Sequence, residues 1–248
     1  MREKDLVLYT EVMMIEDPLC ARYKKFLAPS TMDFDCPTID RADGVYLYDK
    51  SGKQYLDFDA DVAVMPLGHR HPIIEEGLAR QREKIDFVEG TARPWQIEIN
   101  VHGRDYEISP PVLAEKLAQL AFPKEPARVA FDMTGATVVE AGIMFALWQR
   151  RDRGNFLAFY GGFHGRHGYA RDATCSKPIQ TKHYPKGVPI THLKFPRTMN
   201  DVQEIKQTLK AHIALETVNA VILEAVQGEG GIEVWEKSLW QELETFFK

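Results

Sequence analysis

From about residue 127 onward, short apolar runs alternate with longer amphipathic ones, and no other feature constrains the fold as strongly. Arg128-Val129-Ala130-Phe131, Asn155 to Tyr160, His192 to Phe195 and Ala220-Val221-Ile222-Leu223 each have the length and apolar content of a buried strand. Between them, Val138 to Arg150 and Asn200 to Glu216 carry apolar residues at helical spacing. These are Val139, Ile143, Met144 and Leu147 in the first, and Val202, Ile205, Leu209 and Ile213 in the second. Ser238 to Phe247 starts a last helix. Strands alternating with helices predict an α/β fold, a mostly parallel sheet with flanking helices. In such sheets ligands bind beyond the carboxyl ends of the strands. Thr134-Gly135-Ala136, Gly162-Phe163-His164-Gly165 and Glu224 to Gly231 all follow predicted strands, so all three are placed at that edge.

The N-terminal part reads differently. Residues 1–40 have no clear period. Val45 to Phe58 predicts a hairpin, turned at Asp49-Lys50-Ser51-Gly52. Pro66-Leu67-Gly68-His69-Arg70-His71-Pro72 predicts a loop, followed by a helix from Ile73 that includes Ile74, Leu78, Gln81 and Ile85. Residues 90–109 read as polar and irregular. Pro110-Pro111 opens a further helix with a stripe of Leu113, Leu117, Leu120 and Ala121. The expected division is therefore an N-terminal segment with a hairpin, residues 1–65, and a larger domain, residues 66–248.

Composition narrows the function. Of the 248 residues, 44% are hydrophobic and 27% charged, which permits a sizeable core. The net charge of -5 offers no basic footprint for nucleic acid. The short mixed cluster Gln149-Arg150-Arg151-Asp152-Arg153 reads as a solvated helix end. Cys20, Cys36 and Cys175 are odd in number and widely spaced, so neither a disulfide framework nor a zinc cluster is expected. No apolar run suits a signal peptide or a membrane span, and a cytoplasmic location is the expectation.

Three segments carry the chemistry. Thr134-Gly135-Ala136-Thr137 lies between a predicted strand and a helix, where free N–H groups and the helix dipole favour a phosphate. Taken alone, the same residues are more often an ordinary N-cap with a turn glycine. In Tyr160-Gly161-Gly162-Phe163-His164-Gly165-Arg166 the glycines allow close approach of a ligand. Phe163 has a ring to lay on a flat heteroaromatic, and His164 can orient a polar group. Glu224 ends an apolar strand, where a carboxylate is costly without a partner. A salt bridge or a cap would also satisfy it. His69, His71, His164 and Glu224 raise a metal-site reading, but no clean three-ligand spacing supports it.

Taken in order, these segments resemble the class III aminotransferases. The residues that carry the resemblance are Gly44 to Asp49 with Gly52 to Phe58, Leu67-Gly68-His69-Arg70-His71-Pro72, Thr134-Gly135-Ala136 with Val139-Glu140-Ala141, Phe163-His164-Gly165-Arg166, and Glu224-Ala225-Val226-Gln227-Gly228-Glu229-Gly230-Gly231. The resemblance implies an aspartate-aminotransferase-like fold, the type I fold of pyridoxal-phosphate enzymes. It implies pyridoxal 5'-phosphate as cofactor, with Gly135 and Ala136 offering N–H groups to its phosphate and Thr134 a hydroxyl. Phe163 would stack on its ring, and His164 and Glu224 would lie close by. The implied reaction moves an amino group from an ω-amino acid or amine to a 2-oxo acid, in a dimer. Thr134 stands where serine is common, Thr137 where glutamate is frequent and Ala225 where proline is usual.

The resemblance covers the N-terminal half of such an enzyme. The aspartate that meets the pyridinium nitrogen and the cofactor-anchoring lysine come later in the family, and no segment before Lys248 resembles theirs. Lys194 alone lies near a predicted strand end. The first expectation is thus half of a split or truncated transaminase whose partner chain supplies the lysine. The alternatives are a non-catalytic module that keeps the phosphate site, and a metal-dependent hydrolase.

Overall fold

The computed structural model describes residues 18–26, 38–85, 95–151, 154–212 and 217–247. Cys36, Asp152, Arg153, Ile213, Glu216 and Lys248, named above, lie outside the described residues. The chain forms two compact units, Met1–Pro123 and Lys124–Lys248.

The first unit opens with helix α1 (Pro18–Phe26) and an antiparallel sheet of β1 (Ile39–Asp43), β2 (Tyr46–Asp49) and β3 (Gln54–Leu56) in that order. Asp49 makes the expected turn. Its carboxylate accepts from the Ser51 hydroxyl at 2.6 Å, the Ser51 and Lys53 N–H groups at 2.9 and 3.0 Å, and the Tyr55 hydroxyl at 2.8 Å. These donors, the Ser51 hydroxyl foremost, hold its pKa down to about 2. After β3 the short element α2 (Ala60–Ala63) has positive φ at all four residues, a left-handed turn that costs side chains roughly 1–2 kcal/mol each. Asp57 ties this turn down, accepting from the Ala60 N–H at 2.9 Å and from His69 Nε2 at 2.8 Å. Helix α3 (Pro72–Arg82) follows; it begins one residue before the predicted start, so that Pro72 lies in its first turn rather than in the preceding loop.

Residues 97–108 correct the sequence reading. They form a hairpin, β4 (Ile97–Val101) against β5 (Arg104–Ile108), joined by His102-Gly103 with φ of 48° and 76°. Ile99 and Val101 are its buried face. The charged strand β5 hid the alternation, because only one face of an antiparallel pair needs apolar residues. Helix α4 (Pro110–Ala121) is capped by the Ser109 hydroxyl, which accepts the Val112 N–H at 3.3 Å.

The second unit is an α/β layer structure. Its elements are α5 (Gly135–Gln149), β6 (Asn155–Phe159), α6 (Gly168–Ala173), β7 (Ile190–Leu193), α7 (Met199–His212), β8 (Val218–Val221), β9 (Val226–Gln227), β10 (Glu233–Val234) and α8 (Lys237–Phe247). The sheet order is β7-β6-β8, all parallel, and β9 pairs with β10 in a small separate ribbon. Because side chains alternate along a strand, β6 serves two cores. Leu157 and Phe159 pack with Val202, Ile205 and Leu209 of α7 and Leu239 and Leu243 of α8. Phe156 and Ala158 pack on the other face with Ile143 of α5 and Ala173 of α6. Each of the large side chains buried there contributes roughly 1.5–3 kcal/mol. Helix α7 starts in a capping box. The Thr198 hydroxyl accepts the Asp201 N–H at 3.2 Å, and Asp201 accepts the Thr198 N–H at 2.9 Å.

Three expectations need correction here. Residues 128–131 form no ladder with any described strand, although their apolar content is strand-like. Strands β7 and β8 begin two residues earlier than predicted, and Ile222 still donates to Leu157 at 2.8 Å beyond the end of β8. Met144 does not share the buried side of α5. Ile143 is buried and Val139 and Leu147 are half-buried, while Val138, Met144, Phe145 and Trp148 are exposed. Among the described residues no helix is long and apolar enough to cross a membrane.

Candidate cofactor site

The three segments singled out in the sequence meet at the carboxyl edge of the β7-β6-β8 sheet, and backbone groups hold them there. Helix α5 begins at Thr134, whose extended backbone and hydroxyl make a capping box with Thr137. The Thr134 hydroxyl accepts the Thr137 N–H at 3.2 Å, and the Thr137 hydroxyl accepts the Thr134 N–H at 3.1 Å. The Val138 N–H goes to the Thr134 carbonyl at 3.0 Å. The N–H groups of Gly135 and Ala136 have no partner among the described residues. They stand at the positive end of a 15-residue helix, and, apart from its chain neighbours and the helix's own backbone, no atom of the described residues lies within 4 Å of where a Gly135 side chain would begin.

The loop after β6 presses against this helix start. Gly165 has φ +135°, and a Cβ there would fall 2.7 Å from Ala136 Cβ and 2.9 Å from Ala136 Cα. Only glycine allows that approach. Thr174, fully buried, fixes the loop from behind. Its hydroxyl accepts the N–H groups of His164 and Gly165 at 2.9 and 3.1 Å and donates to the Gly165 carbonyl at 2.8 Å. The sequence reading missed Thr174, because its partners are the backbone of residues nine and ten positions away. Glu140, part of the resemblance, accepts the Ala170 N–H at 3.0 Å and so links α5 to α6.

Phe163 is half-buried, with the Arg166 guanidinium 5.7 Å from its ring centre. Its N–H donates to Glu224 at 2.7 Å. The other oxygen of Glu224 accepts the Gly228 N–H at 3.3 Å, so this carboxylate has the partners its strand-end position demanded. Gln227 donates to the Tyr160 carbonyl at 3.0 Å. Gly230 lies against Gly161, where a Cβ would sit 2.7 Å from the Gly161 carbonyl oxygen.

His164 is buried, 7% exposed, and its Nε2 has no partner among the described residues. Burial pushes its pKa down. The Glu224 charge works against that shift and His192 adds to it, so the ring is neutral at pH 7. His192 is likewise pushed down by burial, and its Nε2 donates to the Ala173 carbonyl at 3.0 Å.

Two sequence suggestions are answered by these contacts. Lys194 is exposed and pairs with Asp201 at 2.5 Å and Glu204 at 3.7 Å. The bond from Lys194 to Asp201 raises the lysine's pKa, which favours the protonated amine. Among the described residues no group of three or more His, Cys, Asp or Glu side chains is placed to hold a metal ion. His69 is paired with Asp57, and both Glu224 oxygens are bonded to backbone.

The donor set fits pyridoxal phosphate. A phosphate needs unpartnered N–H groups at an open helix start, and Gly135 and Ala136 supply them. A flat ring needs an aromatic neighbour, and Phe163 lies on the loop that touches that start.

A parallel α/β sheet with this helix start and this aromatic loop is the architecture of the type I pyridoxal-phosphate transaminases. A solved (S)-enantioselective omega-transaminase from Thermomicrobium roseum superposes on 92% of this chain with a TM-score of 0.75 and 26% identity, using 53% of its own length. An ornithine aminotransferase from Toxoplasma gondii shares the fold at 19% identity, TM-score 0.70, over 98% of this chain and 54% of its own. Residues 29–248 match the family model for class-III aminotransferases, and the chain belongs to that family. The acetylornithine aminotransferase of Aquifex aeolicus is 32% identical over 214 residues, 84% of this chain and 50% of the relative. That of Agrobacterium fabrum is 33% identical over 217 residues, 83% of this chain and 47% of the relative. The chain spans about half the length of the curated relatives it matches.

Proposed function

We propose that this chain forms the phosphate and ring side of a pyridoxal 5'-phosphate site for amino-group transfer. The carrying observation is the pair of N–H groups at Gly135 and Ala136 that have no partner among the described residues, with Gly165 of the Phe163 loop in contact with Ala136. Pyridoxal phosphate, when bound, acts as the electron sink for the amino-transfer chemistry. In this reading Gly135 and Ala136 bind the phosphate, Thr134 sets the helix start that aims them, and Phe163 covers the ring. Neutral His164 and Glu224 shape the loop that carries Phe163.

The names of relatives, an acetylornithine aminotransferase and an omega-transaminase, support an ω-amino acid or a related amine as donor in this reading, with a 2-oxo acid as acceptor. The lysine that anchors the cofactor comes, in this proposal, from polypeptide outside the matched half, in the same chain or in a separate one. A homodimer or heterodimer in the cytoplasm is the proposed setting. Residues 66–248 are proposed as the cofactor-binding part and residues 1–65 as an accessory segment; the compact units divide instead at Pro123 and Lys124, and all six site residues lie in the second unit.

Equilibrium dialysis of pyridoxal phosphate against wild type and Gly135→Pro tests the site. Proline is welcome at the first helical position, and the extended Thr134 backbone (φ -141°, ψ 159°) suits a following proline. The substitution therefore removes one N–H donor and leaves the helix in place. Binding that weakens by roughly tenfold, with unchanged helix content, supports the reading. Equal binding by the variant sinks it. Binding that is retained when a lysine-bearing partner is added, but without turnover, favours the non-catalytic module instead.

A further inference from the structure

One side chain joins the two glycine-rich loops of the site. Glu224 accepts the Phe163 N–H on Oε1 at 2.7 Å and the Gly228 N–H on Oε2 at 3.3 Å, 61 and 4 residues away in sequence. Its own carbonyl accepts the Trp235 indole N–H at 2.9 Å, and the Trp235 ring is itself held edge-on to Phe159, 4.9 Å between centres. The carboxylate is therefore fixed from the core side and engaged on both oxygens. A parallel seam runs beside it, where Gln227 bonds the Tyr160 carbonyl and Gly230 rests on Gly161.

Charge-assisted bonds from a carboxylate to backbone N–H groups are stronger than neutral ones. They fix the backbone at Phe163, and the side chain's direction follows from its backbone and staggered rotamers. We propose that Glu224 is a positioning residue. Its carboxylate clamps the Phe163 and Gly228 loops together and so sets the ring that covers the cofactor, without binding cofactor or substrate itself. This rests on the pyridoxal-phosphate reading above.

The clamp is tested first without cofactor, by amide hydrogen exchange on the purified chain. Glu224→Ala leaves two N–H groups without an acceptor, and exchange at Phe163 and Gly228 should rise at least about tenfold. Glu224→Gln keeps one acceptor oxygen and turns the other into a donor, so exchange should rise at one of the two positions. It also carries the test should the alanine variant fail to fold. Unchanged exchange at both positions in either folded variant overturns the clamp.

Pyridoxal-phosphate affinity then separates positioning from contact. The loss caused by Glu224→Gln should largely vanish in a Phe163→Leu background, because the ring it positions is gone. Affinity for inorganic phosphate should stay within about twofold, since that ion uses the Gly135 and Ala136 donors. An equal loss in both backgrounds means that Glu224 touches the ligand, and the proposal falls. Wild type that binds no pyridoxal phosphate overturns the cofactor reading and the positioning role with it, while the exchange result still judges the clamp.

Discussion

Replacing Gly165 by alanine attacks the contact that brings the aromatic loop to the phosphate-binding helix start. The new Cβ would lie 2.7 Å from Ala136 Cβ, 2.9 Å from Ala136 Cα and 3.2 Å from Ala170 Cβ. Carbon atoms sit comfortably at about 3.5–4.0 Å, so something must move by at least about half an ångström. Ala136 is in the first turn of α5, and Thr174 holds Gly165 through both its N–H and its carbonyl. Neither side yields without breaking hydrogen bonds. The φ of +135° adds strain of roughly 1–3 kcal/mol for a residue with a side chain. Overpacking adds roughly 1–3 kcal/mol more. A total of about 2–6 kcal/mol is a large part of a typical domain stability of about 5–15 kcal/mol. Urea unfolding, followed by tryptophan fluorescence, measures it. The companion variant Ala136→Gly removes the nearest carbon but leaves Cα and the φ strain. The double variant should therefore recover part of the loss, with a coupling of about 1 kcal/mol or more. A Gly165→Ala chain within about 0.5 kcal/mol of wild type, with unchanged phosphate affinity, refutes the close approach.

Four further outcomes are expected. Thr134→Ala should lower stability by about 0.5–2 kcal/mol through the lost cap and weaken phosphate binding, and Thr134→Ser should restore both; a loss that serine does not restore counts against the hydroxyl. Asp201, whose pKa is depressed mainly by its bond from Lys194, stabilises the fold above the ordinary aspartate range and loses that effect as pH falls. The gap in urea midpoint between wild type and Asp201→Asn should thus be full above about pH 4 and shrink below it, and a gap that ignores pH would contradict this. Borohydride reduction after incubation with pyridoxal phosphate should leave no specific adduct on Lys194, because the Asp201 and Glu204 pairing keeps that amine protonated; a single adduct mapped there would overturn the assignment. The exposed apolar side chains of α5 predict concentration-dependent self-association by sedimentation, reduced in Phe145→Glu and Trp148→Glu; identical behaviour of variants and wild type would show that this face is not sticky.

Much of the second unit was legible along the chain, because its signals are local. The apolar run Asn155 to Tyr160 marked a strand, observed at Asn155–Phe159, and the helical spacing of Val202, Ile205 and Leu209 marked a helix, observed at Met199–His212. The helix read from Val138 starts three residues earlier, at Gly135, because Thr134 acts as the N-cap that the sequence offered as an alternative reading. The ordered set of short motifs placed the chain in its family. The hairpin at 97–108 escaped because three of the five residues of one of its strands are charged. Residues 128–131 misled for the opposite reason, since apolar content says nothing about whether a neighbouring strand is there to pair with them.

By itself, then, the sequence determined the alternation of strands and helices, the apolar run of β6 and the glycine-rich loops that follow strands. The tertiary structure decided what those loops do. Glu224 finds the Phe163 N–H across 61 residues, Thr174 finds those of His164 and Gly165, and Gly165 meets Ala136 at a distance only a missing side chain permits. Periodicity and capping are properties of adjacent residues, and a pattern along the chain records them. A hydrogen bond or a steric contact between distant loops depends on where the sheet delivers each loop, and no local pattern encodes that position.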